Sequence, residues 1–216
     1  MEVLVAIKGR RSVRRYSREP VAHELVERIL EAAVWAPSAK NLQPWRFLVV
    51  EGQPKNRLAE ILGHVAEQMM EHADPLERSY GYGTEESAKI IREAPVLITV
   101  WNTGPISKGE TALLQDTTPS HLLAWSVEIQ SAAAAIQNML LVAYSMGLGG
   151  LWTCDLNHAA AQVREYLSIE GDLTAGVVIG YPAEVRPPPR RCSLVEVVTW
   201  VGGTGKGQFG SEETVT

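Results

Sequence analysis

Two hydrophobic patterns divide this chain, one with a period of three to four residues and one of unbroken apolar runs, and they predict a succession of helices and strands. The opening EVLVAIKGRR carries Val3, Leu4 and Ile7 on one side of a short helix. After Pro20, HELVERILEAAVWA repeats Leu25, Ile29, Ala32 and Ala33 at helical spacing, with Glu27 and Glu31 toward solvent, and Pro37 stops it. RFLVVE, Arg46 to Glu51, is apolar and β-branched and reads as a strand. An amphipathic helix follows over roughly Asn56 to Glu71, then a shorter one over Glu85 to Arg92. Pro95 opens VLITVW, a strand predicted to be buried on both faces. Gly104 to Leu122 has no period and contains Pro105, Gly109 and Pro119, the mark of a lid or binding loop. A long alanine-rich helix spans Trp125 to Met146 and ends at Gly147 and Gly149. LWTCD is a short strand, HAAAQVREYL a helix capped by Asn157, and TAGVVIGYP a buried strand ending at Pro182. RPPPRR is a stiff turn, and LVEVVTW an extended or helical closing segment. No repeat or linker interrupts this order. It predicts a single α+β domain over residues 1–201, a central sheet covered by helices, with 202–216 as a flexible glycine-rich tail.

Composition narrows the setting. The 216 residues are 45% hydrophobic and 21% charged, the balance of an ordinary globular chain with a substantial core. A formal net charge of -5 argues against general nucleic-acid binding, which shows as a basic domain. No apolar run follows a basic start, and the richest apolar stretch, Ala132 to Met146, is too short to span a bilayer. The expectation is a cytoplasmic protein with no nucleic-acid or membrane partner. Cys154 and Cys192 imply no disulfide framework, and Cys154 reads as a buried core thiol.

Several chemistries fail on spacing. None of the five histidines sits in H-E-x-x-H, and His64 and His72 are two helical turns apart, so no metal site is expected. GGTGKGQFG is not a phosphate loop, because Trp200 stands where the first glycine should be and Gly207 follows the lysine. GLGGLW is not a dinucleotide fingerprint, since Trp152 takes the last position. There is no G-x-S-x-G.

What remains is RRSVRRYSR, five arginines in the nine residues from Arg10 to Arg18 of an acidic chain. The bland reading lets Arg10 and Arg11 close the first helix, where cations suit the dipole, and leaves the others solvated. Against it, Ser12 offers a hydroxyl and an N–H among the arginines, and Arg190–Arg191 adds a second cationic pair in a proline-stiffened turn. Guanidinium forks match phosphate oxygens. APSAKNLQPWRF, Ala36 to Phe47, sets Ser38, Asn41 and Gln43 between Pro37 and Pro44. It is either an ordinary turn or a loop for a planar, heteroatom-rich ligand.

In these stretches, together with AAAAIQNMLLVAYSMGLGGLW and VVIGYPAEVRPPPRRCSLVEVV, the chain resembles the nitroreductase family of FMN-dependent oxidoreductases from about residue 6 to 200. The resemblance implies an α+β fold with a central mixed, largely antiparallel sheet flanked by helices, in an intertwined homodimer with FMN sites at the interface. It implies that Arg10, Arg11, Ser12 and Arg14 hold the phosphate and ribityl chain. Pro37, Ser38, Ala39, Asn41 and Gln43 would reach the flavin from the partner, with Trp45 supporting the loop. Gly149, Gly150, Leu151 and Trp152 would line the ring, and Arg190 or Arg191 would complete the phosphate grip. Relatives often carry Lys where this chain has Pro189, which leaves the choice between those two arginines open. The implied activity is ping-pong hydride transfer from NADH or NADPH through flavin N5 to a nitro, quinone or similar small-molecule acceptor, with no catalytic side chain. Flavin fragmentation, reductive dehalogenation, cofactor biosynthesis and a flavin module without turnover are the alternatives.

Overall fold

In the computed structural model, which describes residues 2–105, 118–184 and 186–201, the unbroken apolar runs are the middle of the sheet. β2 (Val96–Asn102) and β4 (Asp172–Gly180) are buried at every position. They pair antiparallel with each other, flanked by β1 (Trp45–Glu51) on β2 and β3 (Gly149–Thr153) on β4, for an order β1-β2-β4-β3. All three ladders are antiparallel. The parallel element of the sheet is a bridge from Ser12 to Gly150 on the outer edge of β3.

Helices cover both faces because the central strands are apolar on both faces. On one side Ile98 and Val177 pack under α2 (His23–Val34) and α5 (Pro119–Ser145), through Ile29, Ala132, Ala135, Ile136 and Met139. On the other, Leu97 and Trp101 pack under α3 (Gly52–Met70), α4 (Pro75–Glu93) and α6 (Ala160–Leu167), through Leu58, Ile91 and Val163. α1 (Val3–Gly9) lies against α5. The chain divides into two compact units, Met1–Arg186 and Pro187–Thr216. Within the second, Ser193 and Glu196 form a reciprocal capping box for the one-turn α7 (Leu194–Val197).

Several predicted elements shift. The expected Glu85–Arg92 helix runs the full length of α4: Asp74 caps it by accepting from Leu76 N–H at 2.8 Å, and Pro75 occupies its first turn. Its Gly81 admits α3, since a Cβ there would meet Met70 N at 2.9 Å. The short strand after the long helix begins two residues earlier than expected, at Gly149. Asn157 does not cap a helix. A bulge in the β2–β4 ladder leaves Thr174 without an opposite partner, and the Asn157 side chain donates to its carbonyl at 3.1 Å. Cys154 is exposed rather than buried, because Leu156 and Ala159 are the inward residues of the turn after β3. Ser87 of α4 donates to Asp155, which ties that turn to the helix. The predicted 104–122 loop keeps Gly104 and Pro105 at its start, while Pro119–Leu122 opens α5. Residues 106–117, like the tail 202–216, lie outside the described residues. No described helix is long and apolar enough to cross a membrane.

Lys55 is a buried cation with a structural task. It is 3% exposed, and its ammonium donates to the Ile91 and Arg92 carbonyls at 2.7 and 2.8 Å, closing the end of α4. Lys55→Met keeps the stem but strands those acceptors, so a loss of about 2 kcal/mol is expected. A thermal melt should fall by about 4–8 °C, and an unchanged melt would remove Lys55 from this role.

Candidate functional site

The arginine segment owes its shape to two residues that are not arginines. Val13 and Tyr16 are buried, while Ser12, Arg14 and Arg15 point outward. Each buried residue sits over a glycine. A Cβ on Gly149 would lie 2.6 Å from Val13 Cγ2, and one on Gly180 would lie 2.8 Å from Tyr16 Cδ1 and 2.7 Å from Pro95 Cδ. Strands β3 and β4 therefore carry notches that seat the segment. The backbone is stitched down alongside: Val13 N–H donates to Gly150 C=O at 3.1 Å, Ser17 N–H to Tyr181 C=O at 2.8 Å, and Ala183 N–H to Arg15 C=O at 2.9 Å. The Tyr16 hydroxyl lies 2.9 Å from the Val13 carbonyl and 3.3 Å from the Val178 carbonyl, and donates into that pair. Burial pushes the phenol well above its ordinary pKa against the opposing charge of Arg14, so it remains a donor.

The arginines then separate. Arg11 turns back, and its Nη1 donates to the carbonyls of Lys8, Gly9 and Arg10 at 2.7–2.9 Å, closing α1. Arg10 and Arg14 have no carboxylate partner among the described residues, and Ser12 is exposed between them. Two uncompensated guanidinium groups and a hydroxyl on a fixed backbone are what a phosphate monoester requires. In the second unit, Arg190 pairs with Glu196 at 3.3 Å, while Arg191 has no hydrogen bond or ion pair with a described residue.

The same docking bears on Gly149 and Gly150. Their missing side chains make room for Val13 and for Leu140, whose Cδ2 would lie 2.7 Å from a Cβ on Gly150. Packing therefore accounts for both glycines. Gly150 presents its carbonyl to Val13 on the outer edge of β3, and strand alternation turns the Trp152 peptide to that edge next. Leu151 is buried and the Trp152 side chain is 36% exposed.

The second predicted group, Pro37 to Gln43, is held in an unusual backbone. Lys40, Asn41 and Gln43 all have positive φ, at 51°, 54° and 47°. Asn tolerates this conformation; for Lys and Gln it costs roughly 1–2 kcal/mol each. The surroundings enforce it. Ser38 Oγ accepts from Gln43 N–H at 3.0 Å, and Ala39 N–H donates to Ser131 Oγ of α5 at 3.4 Å. Pro44 C=O accepts from Thr103 N–H at 2.7 Å. Trp45 is buried and stacks on Phe47, anchoring the loop's exit. Strain held in place by its neighbours marks a functional loop.

Within one chain the two groups do not converge. The loop is tied to α5 at Ser131, whereas α1, which leads into the arginines, packs at Tyr144, whose hydroxyl would lie 2.1 Å from a Cβ on Gly9. Thirteen helical residues separate these anchors, about 20 Å along the axis. Two surface cavities of about 540 and 600 Å³ lie elsewhere, one between α3 and α6 and one beside Arg46 and Gly171.

Sequence reasoning missed Tyr16, Val13, Gly180 and Ser131. The alternation in RSVRRY signals the first two; nothing local signals the others. Gly180→Ala is expected to destabilise the chain by about 1–3 kcal/mol through overpacking against Tyr16 and Pro95. Gly83→Ala, in α4 with nothing within 4 Å of the added Cβ, should stabilise it by up to about 1 kcal/mol. Urea denaturation of the two variants checks the contrast, and equal effects would remove the notch.

The sequence model of the nitroreductase family matches residues 7–181. A Methanothermobacter thermautotrophicus relative, provisionally named an NADH dehydrogenase/NAD(P)H nitroreductase, is 34% identical over 188 residues, spanning 85% of this chain and 79% of its own. A BluB-like flavoprotein from Clostridium difficile has a similar structure, with a TM-score of 0.77 and 25% identity over 93% of this chain and 99% of its own. A nitroreductase with bound FMN from Bacteroides fragilis gives a TM-score of 0.67 and 26% identity over 93% and 99%.

Proposed function

The chain belongs to the nitroreductase family, and from that premise we propose that it is an FMN-dependent oxidoreductase that uses NADH or NADPH to reduce a nitro, quinone or related small-molecule acceptor. The observation that carries this reading is the arginine segment: Ser12 and Arg14 stand outward on a backbone seated in the sheet, half-buried Arg10 precedes them, and neither arginine has a carboxylate partner among the described residues, as a phosphate requires. The chemistry FMN supplies when bound is hydride transfer from the reduced nicotinamide to the acceptor. The chain's residues hold and orient. Arg10, Ser12 and Arg14 take the phosphate. Arg11 supports the grip from the end of α1 rather than through its guanidinium. The β3 edge at Trp152 offers a backbone donor for the ring, with Leu151 beneath it, and Pro37, Ser38, Ala39, Asn41 and Gln43 supply the polar contacts from a second copy. This division of labour requires no acid–base pair.

The homodimer is part of the proposal. Val3, Leu4, Val5 and Ile7 of α1 are 48–64% exposed, an apolar face that a second copy would cover. The separation of the two groups along α5 supports a site completed by the partner, since an isologous interface brings each to the other. We place the protein in the cytoplasm. Flavin fragmentation remains the second reading, favoured by the BluB-like neighbour; loss of the flavin spectrum on aerobic incubation of the reduced protein would select it.

The purified protein should carry a flavin spectrum that bleaches on anaerobic addition of NADH or NADPH and returns with a nitroaromatic or quinone. Flavin that stays oxidised with both nucleotides would refute the activity. Light scattering should give twice the chain mass, and a monomer with flavin still bound would refute the shared site. Arg14→Ala should raise the FMN Kd by about 10- to 100-fold, the cost of a charge-assisted hydrogen bond. Arg18→Ala, outside the seated alternation, should change it by less than about 3-fold. The reverse order would break the assignment.

A further inference from the structure

We infer that Lys40 is a selectivity residue that draws an anionic substituent of the acceptor, such as an aryl carboxylate, into the site. This rests on the function proposed above. Lys40 has φ 51° and ψ 24°, the left-handed conformation in which glycine is at ease and a long side chain is not. A glycine here would satisfy the fold at no steric cost, so the fold does not ask for lysine. Nor does any internal partner: among the described residues Lys40 makes no ion pair and no side-chain hydrogen bond, and it is exposed. Its backbone is nonetheless fixed on both sides, by Ala39 N–H on Ser131 and by Ser38 Oγ on Gln43 N–H. The ammonium therefore projects from a defined point between Ser38 and Asn41, the residues assigned to the flavin.

A cation there has two candidate anions, the FMN phosphate and the acceptor. In the proposed site the phosphate is taken by Arg10, Ser12 and Arg14. The loop's partners in this reading are the polar groups of Ser38, Asn41 and Gln43, which suit the ring end of the cofactor. An ammonium on that loop faces whatever docks at the ring. An acceptor carrying a carboxylate gains an ion pair with Lys40, and a neutral acceptor of the same shape gains nothing.

The test compares 4-nitrobenzoate with nitrobenzene as acceptors for the FMN-loaded enzyme and for Lys40→Gly, Lys40→Met and Lys40→Arg. The expected result for Lys40→Gly and Lys40→Met is a fall of about 5- to 20-fold in the ratio of kcat/KM for the anionic to the neutral acceptor, carried by KM. Lys40→Arg should retain the ratio, and high salt should erode it in the wild type. The thermal melt of Lys40→Gly should be equal to or above that of the wild type, which separates charge from folding. An unchanged ratio in an active enzyme would overturn the role of Lys40 alone. An FMN Kd that rises with the loss of selectivity would do the same, because the lysine would then act on the cofactor. A wild type that reduces neither acceptor would overturn this inference, and the proposed function falls with it only if the flavin also stays oxidised with both nucleotides.

Discussion

The seating of Val13 and Tyr16 over Gly149 and Gly180 is the contact on which the anion site depends. A run of arginines has no preferred direction of its own, because guanidinium groups repel one another and favour solvent. Burying every third residue of RSVRRY against the sheet imposes one. Once Val13 and Tyr16 point in, Ser12 and Arg14 point out, and the hydrogen bonds of Val13, Arg15 and Ser17 leave the backbone no alternative register. The segment also covers the outer edge of β3 at Gly150, an edge that would otherwise present unpaired peptide groups. One packing event thus closes a sheet edge and aligns an anion site. The paired glycines matter as absences of side chain, and not for their backbone freedom: neither Gly149 nor Gly180 has a positive φ.

The loop after α2 is built on the opposite logic. There the backbone is strained, and the Lys40 side chain has no partner among the described residues. Three left-handed residues in four hold exposed Asn41 and Gln43 beside half-buried Ser38, and the strain is offset by Ser131, Thr103 and the buried Trp45. α5 joins the two halves. Its alanines at 132, 135 and 143 are fully buried in this chain's own core, where their small side chains pack α5 closely against α2 and the sheet. The Asn138 side chain locks that packing by donating to the Ala32 carbonyl at 3.0 Å. α5 is therefore a rigid rod carrying one loop near its middle and the entry to the arginines near its end.

Much of this was legible in the sequence, for a physical reason. The strands β2 and β4 announce themselves because burial on both faces demands unbroken apolar runs, and the edge strand β1 through its apolar, β-branched FLVV. The helices α2 and α3 do so because they are buried on one face only. α4 was underestimated: SYGYG looks like a turn, yet Gly81 is a helical residue emptied for Met70. Asp74–Pro75, its start signal, was present and carries the helix back ten residues. Family resemblance proposes the site residues as a set, but does not separate their individual tasks. Arg11 and Arg14 look alike in RRSVRR, and only the folded chain shows that one closes α1 while the other faces solvent. Gly149 and Gly150, read as lining the ring, carry a packing task as well: the space they leave is filled by Val13 and Leu140. Asn157 was misplaced because a bulge at the distant Thr174 decides where it points, and Cys154 because Leu156 and Ala159 take the inward positions of its turn.

These distinctions change what a mutation at the site can mean. A substitution at Gly149 or Gly180 reaches the anion through Val13 or Tyr16, so it should act on stability and cofactor affinity together. A substitution at Arg14 removes charge from a backbone that stays in place, so it should act on affinity alone. The same separation holds on the loop: Ser38 and Gln43 are tied to each other and hold its shape, whereas Lys40 is tied to nothing within the described chain and is free to face a substrate. The flavin brings its own reactivity, so the chain's influence on the reaction is confined to where it places charge and where it leaves room. Each of those placements traces to an identifiable contact in the core beneath it.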